Sequence, residues 1–171
     1  GAILEELQSK LQVPAEELSD QVEKLLEANR RLEKELASVK KQNVLGSLDS
    51  LIEGAEKVGG SFIVVAEVDA EHAEDLRTLG DRIRDRLDPV AILLGSKGTD
   101  KVLLLSMVSK SLTKAGLHAG NAVKQAAQIC GGGGGGRPDM AQAGGRLPEK
   151  LPEALEQSRE FFRAQLEGMN S

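Results

Sequence analysis

Gly131-Gly132-Gly133-Gly134-Gly135-Gly136-Arg137-Pro138-Asp139-Met140-Ala141-Gln142-Ala143-Gly144-Gly145 joins an apolar helical pattern to a charged C-terminal one. Glycine loses more conformational freedom on folding than any other residue, so six in a row inside a compact domain are costly. Flexible linkers dilute glycine with serine and other polar residues. This run is instead fused directly to Ile129-Cys130 on one side and to an Arg-Pro-Asp turn on the other. Its physical use is a backbone that passes close to another group, or one that presents several N–H donors. The expectation is a glycine-rich loop with two uses open. It either walls a ligand site or lets one element cross tightly over another with no ligand involved.

Working outward, residues 118–129 read as the helix leading into the glycines and 148–167 as a final helix. Upstream, Phe62–Val68, Val90–Leu94 and Lys101–Val108 are strand-sized apolar runs rich in β-branched residues. Between the first two, residues 70–87 carry Leu76, Leu79, Ile83 and Leu87 at helical spacing. The order β-α-β-β-α describes an α/β (α+β) fold, a small mixed-sheet globule with a Gly-rich loop. Residues 46–58 read as a short helix, closed by Gly59-Gly60.

The N-terminal part has a different pattern. Leu18, Val22, Leu25, Asn29, Leu32, Leu36, Val39 and Asn43 alternate by four and three residues, a coiled-coil seam flanked by Glu and Lys. Pro14 stands where a helix starts, so residues 2–12 form a separate short helix. A helix over 15–43 would be about 43 Å long. Asn29 on the seam suits a register-fixing device. Either a second copy of the chain or a neighbouring helix must cover this seam; its narrowness favours self-association. The expected organisation is therefore a helical dimerisation or linker region, 1–58, and a globular domain, 59–171.

With 171 residues and 40 % hydrophobic content, the chain is long enough for one core plus an appendage. No apolar run reaches membrane-spanning length, and no signal peptide opens the chain. A single cysteine, Cys130, excludes an internal disulfide and fits a reducing cytoplasm. Beginning at Gly1 suggests an excised fragment.

The net charge of −5 conceals a local reversal. Residues 96–146 hold Lys97, Lys101, Lys110, Lys114, Lys124, Arg137 and Arg146 against only Asp100 and Asp139. Such asymmetry around the glycine run marks an anion-facing surface, the alternative being ordinary solvated lysines. Glycines admit a phosphate–ribose backbone to main-chain donors, and Lys110, Lys114, Lys124 and Arg137 would add charge. Of the run itself, Gly132, Gly133 and Gly134 are the expected contact glycines. His118 and Asn121 open the preceding helix and can donate to phosphate or 2′-OH. For His118 a purely local helix-start bond is equally open, and Arg137 could instead cap the C-terminus of helix 118–129.

Catalysis finds little support. Two histidines, His72 and His118, and one cysteine offer no paired metal-ligand spacing. Cys130 has no accompanying base motif and reads as a small packing residue rather than a nucleophile. The glycine run lacks a Gly-Lys-Ser/Thr ending and follows a helix rather than a strand, which excludes a nucleotide P-loop. Trp and Tyr are absent, Phe62 reads as core, and Phe161 and Phe162 lie on the last helix. Single-stranded recognition stacks bases on aromatic rings, so the composition points to folded RNA read by shape and backbone.

The stretch Gly131–Gly145, with Ala119-Gly120 and Ala126-Ala127 upstream, resembles the C-terminal domain of bacterial alanyl-tRNA synthetases. The segment Leu11-Gln12-Val13-Pro14-Ala15-Glu16-Glu17-Leu18 is similar to the link between the editing and C-terminal domains of those enzymes. The resemblance implies a clamp on the outer corner of tRNA-Ala, assistance to aminoacylation and editing, and a homodimer. It implies no catalysis by this fragment itself: ATP and zinc would belong to the rest of the enzyme, with none bound here. The same DHH-associated fold accompanies phosphoesterases that carry Gly-Gly-Gly-His; here Arg137-Pro138 follows the glycines, which puts a hydrolytic role in doubt. A reading from another class is a coiled-coil oligomerisation module whose globule binds protein.

Overall fold

The computed structural model describes residues 2–11 and 14–169, the side chains at 8, 11, 15 and 40–46 excepted. Gln12, Val13 and the Asn43 side chain, named above, lie outside the described residues. The chain divides into two compact units, 1–40 and 41–171.

The first unit is helical. Helix α1 spans Ala2–Leu11, a 3-10 turn covers Ala15–Glu17, and the 29-residue α2 runs Leu18–Gly46, crossing into the second unit. Pro14 starts the turn, its carbonyl accepting from Glu17 N–H at 3.0 Å. Of the expected seam, Leu18 is buried, whereas Val22, Leu25, Asn29, Leu32, Leu36 and Val39 are exposed.

The second unit is a six-stranded mixed sheet in the order β1-β2-β3-β4-β6-β5. After helix α3 (Leu48–Glu53) come β1 (Glu56–Val58), β2 (Ser61–Glu67), helix α4 (Ala73–Arg86), β3 (Val90–Lys97) and β4 (Val102–Val108). Helices α5 (Lys110–Lys114) and α6 (Ala119–Ile129) follow, then β5 (Gly133–Gly136), β6 (Met140–Gly145) and α7 (Leu151–Met169). Only β2 and β3 are parallel, as α4 between them requires; every other pair is antiparallel.

Side-chain alternation sends the strands into two cores. Ile63, Val65, Leu93 and Leu104 meet α6 and α7 on one face. Val64, Ile92, Leu94, Leu105 and Met107 meet α4, with α3 beside it, on the other. The result is a helix–sheet–helix sandwich. Of the polar groups buried in it, Ser106 Oγ donates to Ile92 O at 2.8 Å and Ser109 Oγ accepts from Val90 N–H at 2.9 Å, whereas Gln165 Oε1 on α7 has no partner among the described residues.

Two expectations need correction. Residues 46–58 are not one helix, because α3 ends at Glu53 and Glu56–Val58 pairs with β2. This segment folds with the globule rather than with the helical region. The glycine run is not a loop either: Gly133–Gly136 is the sheet's edge strand, paired with Ala141–Gly144. The mixed-sheet fold that follows a long helix in the chain stands, with Gly133–Gly136 forming a strand at one edge of the sheet.

Candidate nucleic-acid interface

The site grows from the end of β4. Ser109 is extended and releases α5, whose Lys110 and Lys114 lie four residues apart on one exposed side. Gly116 turns the chain at φ +117°, a conformation side chains resist, and buried Leu117 pins the turn with its N–H on Leu112 O at 3.0 Å. Four Cα steps separate Lys114 from His118, so the two lie within about 15 Å.

His118 is the N-cap of α6. Its Nδ1 accepts from Asn121 N–H at 3.1 Å, the local bond that the sequence left as one of two options. With Nδ1 accepting, the neutral ring carries its proton on Nε2, which remains a donor. Asn121 and Lys124 follow one turn apart on the exposed side of α6. Among the described residues none of Lys110, Lys114 and Lys124 has an ion-pair partner.

The β5–β6 hairpin is fastened to the start of the same helix. Ala119 N–H donates to Pro138 O at 2.8 Å, Arg137 N–H to Met140 O at 3.0 Å, and Val108 N–H to Asp139 O at 2.9 Å. Arg137 is therefore held at the N-terminal end of α6, and capping of that helix's C-terminus does not occur. Its guanidinium Nε lies 3.7 Å from Asp139 Oδ1 and stays largely exposed. His118, Asn121, Gly136 and Arg137 thus converge where the helix dipole is positive. Lys124 is one turn further along.

The six glycines are not equivalent. Gly131 has φ +73° and lies against Leu147. A Cβ on Gly132 would stand 2.0 Å from Gly144 O, and on Gly134 2.5 Å from Ala143 Cβ. On Gly136 it would meet Ala141 Cβ at 2.9 Å, while one on Gly120 of α6 would meet Gly136 O at 2.6 Å. These are tight crossings of backbone over backbone. By contrast nothing lies within 4 Å of a Cβ on Gly133 or Gly135. Of the three expected contact glycines, Gly132 already donates its N–H to Ala127 O at 2.8 Å, whereas Gly133 is open.

Gln142 was not singled out from the sequence. It pairs in register with Gly135 and is exposed on the sheet face opposite α6. An exposed amide inside an otherwise small-residue strand was the available signal. Cys130 is fully buried; burial pushes its thiol up, with Glu149 and Glu153 adding to the shift. Such a thiol is a packing group, and its carbonyl accepts from Arg146 and Leu147 N–H at 2.8 and 2.9 Å. His72 is exposed at the start of α4 and makes no side-chain cap bond. Phe161 and Phe162 lie tilted against each other with centroids 5.9 Å apart, and Phe62 is half-buried under Lys57, so no ring projects freely. Among the described residues there is no metal-binding His/Cys/Asp/Glu group, and no helix is long and apolar enough to cross a membrane.

The DHHA1 domain family model matches residues 59–164. The alanine–tRNA ligase of Trichodesmium erythraeum is 43 % identical over 159 residues, 93 % of this chain and 18 % of the relative. That of Bacillus subtilis is 40 % identical over 165 residues, 92 % of this chain and 19 % of the relative. The chain thus spans 18 to 19 % of the length of these curated relatives. The crystal structure of the C-Ala domain from Aquifex aeolicus alanyl-tRNA synthetase aligns with a TM-score of 0.57 at 30 % identity. That alignment covers 66 % of this chain and 97 % of the other. On these matches the chain belongs to the DHHA1 domain family, and within it to the C-terminal domains of alanyl-tRNA synthetases.

Proposed function

We propose that this chain is the tRNA-binding part of an alanine–tRNA ligase, contacting the folded corner of tRNA-Ala through backbone and shape. The observation that carries the reading is the row of unpaired Lys110, Lys114 and Lys124 beside the hairpin tip, where His118, Asn121 and Arg137 meet. Cations without carboxylate partners next to helix-start donors suit a phosphate backbone. The lack of a projecting aromatic ring disfavours capture of single-stranded bases by stacking. On this reading the chain performs no chemistry itself. Aminoacylation and editing, with the ATP and zinc they use, reside in the rest of a cytoplasmic enzyme, and binding here holds the tRNA for both.

The test is a titration of labelled tRNA with the 171-residue chain at two salt concentrations, with single-stranded and duplex competitors. Salt-sensitive binding that folded tRNA competes best is expected. Changing Lys110, Lys114 and Lys124 together to Glu should abolish it without unfolding the protein, since all three are exposed. Each lost phosphate contact lowers the log–log salt slope by about 0.7–0.9. Unaltered affinity in the triple variant would sink the phosphate-contact reading.

The exposed seam of α2 favours a second, compatible role in self-association. Val22, Leu25, Leu32, Leu36 and Val39 are each about half exposed. Covering the remainder stabilises by roughly 1 kcal/mol per side chain, about ten such terms in a dimer against an association cost of about 4–15 kcal/mol. Changing Leu25, Leu32 and Leu36 to Gln should convert a dimer into a monomer in sedimentation. A wild-type monomer would remove dimerisation from the reading.

A further inference from the structure

The sheet face opposite α6 carries a second polar groove beside the hairpin. It has a volume of about 430 Å³ and is lined by Ala73, Glu74, Arg77, Thr78, Asp81 and Gln142. That size lies in the range of ligand-holding clefts, roughly 300–1,000 Å³. We propose that this groove takes the edge of a nucleobase from the RNA bound at the neighbouring hairpin, with Arg77 and Gln142 donating and Glu74 and Asp81 accepting. The proposal rests on the RNA-binding reading above.

Three observations select a base rather than a phosphate. First, the charge is wrong for phosphate: one guanidinium faces two carboxylates, and Arg84 Nη2 already donates to Asp81 Oδ1 at 3.0 Å. Asp81 Oδ2 and the Glu74 carboxylate therefore remain as acceptors that repel phosphate and pair with ring or exocyclic N–H groups. Secondly, the donors are of the matching kind. Arg77 is exposed and has no ion-pair partner among the described residues, and the Gln142 amide both donates and accepts. Thirdly, access is open. Gly133 and Gly135 share this face with Gln142, and a Cβ on either would meet nothing within 4 Å. Neither Gly133 nor Gly135 places a side chain between the groove and the edge of the sheet there. The two faces at this edge then divide the RNA, lysines of α5 and α6 taking its backbone and the α4 groove taking an uncharged, planar, hydrogen-bonding part.

The sign of an acidic-residue substitution separates the possibilities. The double variant Glu74→Gln with Asp81→Asn removes two negative charges, so a groove that merely lies near phosphate would bind folded tRNA more tightly. Base-edge recognition gives the opposite result, a loss of about tenfold, within the range a good base contact provides. Gln142→Ala should weaken binding about fivefold with the salt slope unchanged, whereas loss of a phosphate contact lowers that slope. All three positions are on the surface, and an unchanged melting temperature checks each fold. Tighter or unaltered binding by the double variant, or a reduced slope in Gln142→Ala, overturns the proposal while leaving the lysine interface in place. Absence of any RNA binding by the unmodified chain overturns both.

Discussion

β4 and β5 belong to one sheet and reach it by opposite routes. β4 is a strand because of what its side chains add. Val102, Leu104 and Val108 enter the α6–α7 core, while Leu105 and Met107 enter the α4 core. β5 has no side chain to bury, and all four of its glycines are exposed. It is a strand because β6 offers it hydrogen-bond partners and because no Cβ stands where two backbones must approach. Burial fixes the first and vacancy the second.

Leu105→Ala tests the first route with the largest expected effect. Truncating a fully buried leucine of the α4 core should cost about 2–5 kcal/mol, read by urea denaturation. A loss below about 1 kcal/mol would mean the α4 core collapses freely around the gap. Gly132→Ala tests the second. The new methyl would meet backbone of Gly144 and Gly145, which cannot rotate away, so a cost of about 1–3 kcal/mol is expected. Gly133→Ala should leave stability unchanged or raise it by about 0.5–1 kcal/mol, since alanine loses less entropy and meets nothing there. Equal effects at 132 and 133 would break the distinction between occupied and open positions. The smallest effect concerns the opposite edge, where Arg163 grips Glu56 of β1 in two bonds of 2.9 and 3.0 Å. The pair is over a third exposed, and Glu56→Gln should cost no more than about 1 kcal/mol.

The same contrast explains what could be read from the sequence. Phe62-Ile63-Val64-Val65, Val90–Leu94 and Val102–Val108 announce themselves because β-branched and apolar residues carry the strand signal, and the structure places strands there. Gly133–Gly136 and Met140–Gly145 carry no such signal; their state is dictated by β4, whose residues from Val102 to Met107 pair with Gly145 to Met140. Glu56–Val58 was hidden by Leu48, Leu51, Ile52 and Ala55, whose helical spacing runs into it. That His118, Asn121 and Arg137 lie near one another was legible from their place around the glycines. The inequivalence of the glycines and the position of Gln142 were not, because both depend on which residue faces them across the hairpin.

The strands at the two margins of the sheet are its shortest, three residues in β1 and four in β5. A margin is where a foreign strand would add itself and begin an aggregate. Bare glycine presents such a recruit with backbone hydrogen bonds but no side chains to pack against, and the Arg137-Pro138 turn halts the row after four residues. The bareness that leaves β5 exposed also makes it a poor template for growth, so this edge offers an added strand less than an exposed margin ordinarily does.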